Sequence, residues 1–228
     1  QATGAATSLL SSTIQGKEDE QTAKNIQLGA MIGVNAATYN STLIDQNGKI
    51  LAVEKDGDKG VYIDNQDGGK RKDQKIGKTE YIDEFLVPET GKVPSEAYVT
   101  KTNISPLIDN LSVLGGGSVN QTNPIETYFD LRQLAKDSYP NQKFDIKNTI
   151  LNPYDGYILN GNYVTGRSAG NYLAGLNSAL AKPWFVTNDF WLNETLTRAG
   201  NLHNSGNGGS EIPYSIRQIK SGYENGKN

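Results

Sequence analysis

The spacing of apolar and polar positions changes along the 228-residue chain. Residues 1–39 mix small residues with isolated leucine, isoleucine and valine, a pattern that predicts helix. From Ser41 the period falls to two, and short apolar runs alternate with Asn-Gly, Asp-Gly and Gly-Gly pairs. Such pairs accept the positive φ that tight hairpins need, so residues 41–72 predict a β meander.

The middle of the chain predicts a boundary. Residues 70–124 are charged and then rich in Pro, Gly and Asn, with a strand-like segment at 80–87. The stretch VLGGGSVNQTNP is typical of a linker. We therefore expect a small-residue helical segment at 1–40, a β-rich region with its linker at 41–124, and a C-terminal domain at 125–228.

The C-terminal domain reads as mixed structure with more helix. Apolar spacing predicts a helix over 125–137, and KFDIKN predicts a strand with Asp145 and Lys147 on its polar face. Asn160-Gly161 predicts a hairpin. Three helices should follow: 168–181 capped by Ser168, one between Asn188 and Gly200, and one from Pro213 to Gly222.

The resulting fold class is α+β, with an N-terminal helical and β-meander segment followed by a helix-rich C-terminal domain that contains a β-hairpin. Two glycines lie inside the helix predicted over 168–181. Each costs a helix about 1 kcal/mol relative to alanine. We therefore expect this helix to pack closely against another backbone.

The amino-acid composition excludes several kinds of functional site. The chain has no cysteine and one histidine, which excludes a disulfide framework, a thiolate zinc site, a cysteine nucleophile and a two-histidine metal site. We expect neither a metal nor a cofactor, because the turn DGDKG lacks the spaced carboxylates and closing glutamate of a helix–loop–helix calcium site.

Charge and hydropathy add two further limits. The net charge is −3, and the residues from Ile125 onward contain ten Lys and Arg and nine Asp and Glu. Charge therefore gives no support for nucleic acid as a substrate, although it does not exclude it. No segment approaches the roughly 20 apolar residues of a membrane span. The first residues contain neither Met nor a basic leader, so we expect the sequence to begin inside a longer chain.

Arg167 is the first candidate for a functional group. It lies between Gly166 and Ser168 at a predicted helix start, where a guanidinium and free backbone N–H groups would together bind a phosphate or carboxylate. An alternative is a structural arginine that pairs with a carboxylate and fixes the hairpin to the helix.

The other candidates are ionisable or amide side chains of the same domain. Asp145 and Lys147 would orient a base or form a solvated strand face, and Asp155 would contact substrate or form a turn. Histidine is the side chain whose ordinary pKa lies near neutrality, so His203 could transfer protons with Glu211. Asn171 would bind substrate or satisfy a buried neighbour.

Three segments carry a resemblance to a known family: FDIKN, GRSAGNYLAGLNSA and GSEIPYSIRQIKSGYE. Together they resemble the C-terminal toxin domains of bacterial polymorphic toxins, the tips of RHS-type effectors that are delivered by contact-dependent (type VI) secretion. Upstream, GAATSLLSS is similar to the tail of an RHS core, and DQNGKILAVEKDGDKGVYI to the β-rich segment near such toxins. Among these domains the chain resembles the toxin-44 group, which is predicted to be ribonucleolytic.

The resemblance implies an antibacterial effector that is secreted into target bacterial cells, and it leaves the chemistry open, with hydrolysis as the first expectation. Its partners would be a cognate immunity protein, the RHS shell of the parent chain, and RNA or peptidoglycan of the target, without membrane insertion. As a metal-independent ribonuclease it would use Arg167 and Lys147 for phosphate charge and His203 or Glu211 for proton transfer. A cell-wall hydrolase would use two carboxylates from Asp145, Asp155 and Glu211, and a non-enzymatic binding or adhesive module stays open.

Overall fold

The computed structural model describes residues 39–65, 71–113, 136–183, 185–199 and 212–227. They form helices and two sheets, which confirms the α+β class. The chain divides into two compact units, Gln1–Leu86 and Val87–Asn228. The predicted helical segment at 1–40 and the helix at 125–137 lie almost wholly outside the described residues.

The first unit contains a four-stranded sheet in the order β2-β1-β3-β4. Its strands are β1 (Ser41–Ile44), β2 (Ile50–Glu54), β3 (Gly60–Ile63) and β4 (Gln74–Lys78). Strand β1 is antiparallel to β2 and parallel to β3, so the predicted meander is wrong in topology.

The loop at Asp56-Gly57 explains this topology. It does not close a hairpin, because Gly57 N–H donates to the carbonyl of Tyr39 and the Asp56 carboxylate accepts the hydroxyl of Ser41 at 2.6 Å. The loop is thereby fixed to the start of β1, and β3 must pass to the far side of that strand.

The prediction of a strand at 80–87 is also wrong. The chain turns there, with Asp83 in the left-handed region at φ 58° and its carboxylate accepting the side-chain amide of Asn40. Tyr81 and Phe85 are nevertheless buried. The apolar pattern of this segment therefore predicted which side chains are buried, but it did not predict the backbone conformation.

The second unit contains a three-stranded sheet in the order β5-β6-β7. Strands β6 (Gly156–Leu159) and β7 (Asn162–Thr165) form the predicted hairpin, with Asn160 and Gly161 at φ 51° and 81°. Strand β5 (Val99–Asn103) pairs in parallel with β6. Residues on both sides of 113–124 therefore share one sheet, while the linker predicted there lies outside the described residues beyond Val113 and stays a prediction.

The strand predicted at KFDIKN is a single helical turn. Asp145 precedes α2 (Ile146–Thr149), and its carboxylate accepts the N–H of Asn141 at 2.7 Å and the side-chain amide of Asn148 at 2.9 Å. Such local bonds compete with sheet pairing. Asp145 and Lys147 therefore do not share a polar strand face, which corrects the prediction.

The remaining helices are α1 (Ser105–Val113), α3 (Gly166–Leu180), α4 (Asn188–Glu194) and α5 (Pro213–Gly226), with a π-helical turn at Thr195–Ala199. Thr187, and not Asn188, caps α4 by accepting the N–H of Phe190 at 3.3 Å. Pro213 opens α5 as predicted, but the helix continues past Gly222 to Gly226.

Helices α3 and α5 pack in contact at backbone level, as the glycine content predicted. A β-carbon on Gly175 would lie 1.9 Å from the carbonyl oxygen of Ile219, and one on Gly222 would lie 1.9 Å from that of Tyr172. Contacts advance together along both helices, from Ser168 with Tyr214 to Ala179 with Gly226. The two helices are therefore parallel, and their N-termini lie at the same end.

Candidate functional site

The start of α3 is capped by the residue that ends β7. Thr165 is the N-cap, and its hydroxyl oxygen accepts the N–H of Ser168 at 3.2 Å. The prediction of Ser168 as the cap is therefore wrong, because the cap lies three residues earlier, at the end of the hairpin. Strand and helix follow each other without a loop, which places Arg167 in the first turn of the helix.

The loop at Asn152–Asp155 closes over this first turn. Gly166 N–H donates to the carbonyl of Asp155 at 3.1 Å, and Arg167 N–H donates to that of Pro153 at 3.0 Å. A β-carbon on Gly166 would lie 2.3 Å from the carbonyl oxygen of Asn152, so only glycine fits. The backbone donors that the sequence analysis expected to be free are thus already bonded, and the guanidinium is the group left to bind an anion.

The Arg167 side chain lies between a carboxylate and an aromatic ring. Its Nη2 donates to Oε1 of Glu89 at 2.9 Å, and its guanidinium carbon is 5.6 Å from the ring centre of Tyr214. The side chain is 22% exposed, so the group is partly covered and still reachable from solvent.

Tyr214 is held rigidly beneath the guanidinium. Its hydroxyl is 2.9 Å from the hydroxyl of Ser168 and 3.5 Å from that of Thr165, and all three residues are buried. The ring therefore connects the first turn of α5 to the first turn of α3. These bonds hold the ring of Tyr214 in place next to the guanidinium of Arg167.

Glu89 was not found by sequence reasoning. It lies in the turn between Val87 and Lys92, which bond to each other at 2.9 Å, and it precedes Arg167 by 78 positions. Its side chain is 59% exposed, and the hydrogen bond from Arg167 holds its pKa below the usual range. No sequence signal marks this residue, because an exposed glutamate in a turn is ordinary.

The electrostatic setting of Arg167 is unusual for a cation. Because α3 and α5 are parallel, the positive ends of both helix macrodipoles lie at this end of the pair. Neither helix has an acidic residue in its first turn. The end defined by Arg167, Glu89 and Tyr214, called the arginine end below, is therefore electropositive apart from Glu89.

The predicted site residues are distributed unevenly around the arginine end. Asp155 is in the covering loop, and its Oδ1 accepts the N–H of Tyr98 at 2.9 Å. Asn171 is one turn along α3 and donates to Oε1 of Gln218 at 2.7 Å. The side chain of Lys147 lies beside Gly170 on the same stretch of α3.

Of the three remaining predicted residues, one has a structural role and two lie outside the described residues. Asp145 is buried, and its carboxylate oxygens are occupied by the bonds that shape α2. His203 and Glu211 lie outside the described residues. Their proposed roles in proton transfer stay predictions.

Two general properties concern the described residues alone. Among them, no three His, Asp or Glu side chains are grouped so that they would hold a metal ion. In that same part of the chain, every helix is too short or too polar to cross a bilayer.

Models of protein families, curated protein sequences and solved structures were each compared with the chain, and none of them matches it.

Proposed function

We propose that this chain is part of an antibacterial effector and that its second unit is a hydrolytic toxin domain that cleaves RNA without a metal ion. The sequence resemblance supports the effector class. The observation that carries the proposal is the Arg167 guanidinium, a cation held at the electropositive end of two parallel helices and paired with an exposed carboxylate.

The energetics favour a binding role over a structural role for Arg167. A cation in the first turn of a helix is unfavourable by about 0.3–1 kcal/mol. Its ion pair with the exposed Glu89 returns about 0–1 kcal/mol. The contact with the Tyr214 ring adds about 0.5–1 kcal/mol, so the fold gains no more than about 1–2 kcal/mol from an arginine at this position. An anionic ligand would instead gain a charge-assisted, bidentate partner, and each hydrogen bond to a charged group contributes about 1.5–3 kcal/mol.

In the proposed reaction a phosphodiester of RNA takes the position of the Glu89 carboxylate on Arg167. The neighbouring ribose hydroxyl attacks phosphorus, a base removes its proton, and the bond to the leaving oxygen breaks as an acid protonates that oxygen. The products are a cyclic phosphodiester on one fragment and a hydroxyl on the other. The guanidinium stabilises the charge that develops on the phosphoryl oxygens.

Other residues are assigned supporting roles in the same proposal. His203 and Glu211 transfer the protons, and in the sequence Glu211 stands two positions before Pro213, which begins α5. Lys147 adds positive charge beside the first turns of α3, and Asn171 and Asp155 contact the substrate.

Peptidoglycan hydrolysis is the second candidate. The group that Arg167 binds in the structure is a carboxylate, which is also what a peptide stem presents. The balance of ten cations and nine acidic residues after Ile125 suits such a substrate at least as well as RNA. Because Asp145 is buried, the carboxylate pair of this mechanism would be Asp155 and Glu211.

The proposed partners follow from the effector class. A cognate immunity protein would neutralise the domain in the producing cell, and the RHS shell of the parent chain would enclose it before delivery into the target bacterium. Coverage of the arginine end by the immunity protein would block the substrate and would place an acidic group opposite Arg167.

The test is to incubate the purified chain with total RNA and, separately, with peptidoglycan, in the presence of a chelator. We expect RNA fragments with cyclic phosphodiester ends. Arg167→Ala should lower the cleavage rate about 100-fold to 1,000-fold, as for loss of a single charge-stabilising donor. Lys227→Ala is the matched control, because Lys227 also pairs with an exposed glutamate, Glu224, at 2.6 Å and lies 5.5 Å from a tyrosine ring.

Each outcome decides between the candidates. Release of muropeptides with intact RNA would replace the first candidate by the second. Equal activity of Arg167→Ala and Lys227→Ala would overturn the role of Arg167. If neither substrate is cleaved, and expression in the cytoplasm or periplasm of a bacterium is harmless, the domain is a binding module and the hydrolase proposal fails.

A further inference from the structure

Resting on the proposed function, we infer that Tyr98 and Tyr154 stack on bases of a single-stranded RNA segment whose phosphate is bound by Arg167. This names the substrate class as unpaired RNA. It also assigns a binding role to two aromatic residues that the sequence analysis did not single out.

The backbone places both tyrosines beside Arg167. The N–H of Arg167 donates to the carbonyl of Pro153 at 3.0 Å, and Tyr154 is the next residue, about 3.8 Å further along the chain. Tyr98 is fixed to the same loop, because its N–H donates to the Asp155 carboxylate at 2.9 Å and its carbonyl accepts the N–H of Gly156 at 2.7 Å. Their positions are therefore set by hydrogen bonds and not by a free loop.

Exposure separates these two tyrosines from their neighbours. Tyr98 and Tyr154 are 40% and 36% exposed, whereas Tyr157 and Tyr163 of the adjoining hairpin are buried. The N–H of Tyr154 donates to the side-chain oxygen of Asn152 at 2.9 Å, which holds the loop in the conformation that leaves this residue at the surface. The surface around the backbone of Arg167 therefore offers two partly exposed aromatic side chains.

The combination of one cation and two rings fits a nucleotide strand better than a duplex. Proteins that bind single strands pair a cation for the backbone with aromatic rings on which successive bases stack, and stacking tolerates any base. A duplex offers its bases only as edges in a groove. Stacking also supplies affinity that does not depend on a basic surface, which suits the nearly balanced charge of the residues after Ile125.

The competing carboxylates do not prevent this arrangement. Asp155 already accepts the N–H of Tyr98, which reduces its repulsion of a nearby phosphate. Glu89 is the group that the phosphate displaces from Arg167, and its 59% exposure lets it turn away into solvent.

The test measures binding of a short fluorescent single-stranded DNA oligonucleotide by anisotropy at fixed salt. This probe lacks the attacking ribose hydroxyl, so it binds without being cleaved. Tyr98→Ala and Tyr154→Ala should each weaken binding about 5-fold to 150-fold. Tyr98→Phe and Tyr154→Phe should retain it, and Phe190→Ala, which removes an exposed ring on α4, is the matched control.

A second probe isolates the bases. An abasic oligonucleotide of equal length keeps every phosphate, so the two alanine variants should bind it as well as the unaltered chain does. If the alanine variants lose affinity for the abasic strand too, or bind the normal strand unchanged, the inference is overturned. Thermal melting of each variant shows that the fold is intact.

The same variants separate this inference from the proposed function. Cleavage of RNA combined with tyrosine-independent binding would sink the stacking role and leave the ribonuclease in place. Tyrosine-dependent binding of the oligonucleotide without any RNA cleavage would leave the stacking role and remove the ribonuclease. If the alanine variants instead lose affinity for a chitin oligosaccharide, the rings bind sugars, and the inference is wrong.

Discussion

The two ends of the α3–α5 pair each combine a cation, a glutamate and a tyrosine ring. At the arginine end the cation–carboxylate distance is 2.9 Å and the ring distance is 5.6 Å. At the opposite end, called the lysine end, Lys227 and Glu224 are 2.6 Å apart and Lys227 is 5.5 Å from the ring of Tyr223. The exposed fractions of the side chains also match: the two cations, Arg167 and Lys227, are 22% and 24% exposed, and both glutamates are 59% exposed.

The ends differ in how these groups are brought together. At the lysine end the carboxylate is three residues away on the same helix, and the cation follows the C-terminus, where the helix dipole favours it. At the arginine end the carboxylate comes from 78 residues earlier, and the cation faces the positive ends of two helices. The comparison teaches that similar contacts serve stability at one end and, as we propose, ligand binding at the other.

The largest expected effect comes from the contact that holds both ends in place. In Gly222→Ala the new β-carbon would lie 1.9 Å from the carbonyl of Tyr172, so the helices must separate. Overpacking of this kind is destabilising by about 1–3 kcal/mol and occasionally more, and a clash with backbone places this variant at or above the upper value. Urea unfolding measures the loss.

Gly170→Ala is the control for that variant. Gly170 belongs to α3 too, but a β-carbon there would be 3.7 Å or more from its neighbours, in ordinary contact. Removing a helical glycine should then stabilise the protein by up to about 1 kcal/mol. Equal destabilisation by both variants would mean that α3 and α5 do not pack through Gly222.

An intermediate effect is expected from removing the two cations in turn. Lys227→Ala should lower the free energy of unfolding by about 0.3–1 kcal/mol, because the cation favours the helix C-terminus. Arg167→Ala should change it by less, since loss of the surface ion pair is offset by relief from the helix dipoles. Thermal melts at low and high salt measure both. A larger loss for Arg167→Ala than for Lys227→Ala would make the arginine a structural group.

The smallest effect is expected from Glu89→Gln. The amide cannot form an ion pair with Arg167, so sulfate should bind the arginine end up to about 5-fold more tightly at neutral pH. Titration followed through the guanidinium NMR signals measures this. The matched Glu224→Gln variant at the lysine end should leave sulfate affinity unchanged, and an increase there as well would show a nonspecific charge effect.

The Glu89 ion pair also has a defined pH dependence. Because Arg167 lowers the pKa of Glu89 in the folded protein, the stabilisation is complete above the ordinary pKa of 4.5 and is lost as pH falls through the lowered value. The difference in melting temperature between the unaltered chain and Glu89→Gln should therefore disappear in acid. A difference that persists there would assign it to packing and not to charge.

Local sequence chemistry determined several elements directly. Asn160-Gly161 specifies its hairpin because both residues accept positive φ, and Pro213 begins α5 because its missing N–H is not needed in a first turn. The internal glycines of α3 indicated a close backbone neighbour. Gly175 has one in Ile219, while Gly170 faces side chains.

Hydrogen bonds of side-chain carboxylates overruled the apolar periodicity at other places. The segment around Asp145 has the alternation of a strand, yet the carboxylate draws Asn141 and Asn148 inward and forms a helical turn. The prediction of a meander was wrong for the same reason, because the carboxylate of Asp56 binds Ser41 and fixes the loop to the start of β1. In both cases an aspartate carboxylate accepts a backbone N–H, that of Asn141 or of Ser41, and the spacing of apolar residues does not predict such a bond.

The candidate site shows the same division between sequence and tertiary structure. The sequence by itself indicated that a cation stands where a glycine-containing helix begins, because the small residues after Arg167 favour such a helix. That Thr165 caps the helix, and so puts Arg167 inside its first turn, was visible only in the structure. The tertiary structure alone decided that a second helix lies parallel to it and that Glu89 is the partner of Arg167. It also decided that the loop bonded to the backbone of Arg167 contains Tyr154 and is bonded to Tyr98. These groups are far apart in the chain, and only backbone hydrogen bonding and helix packing bring them to one place.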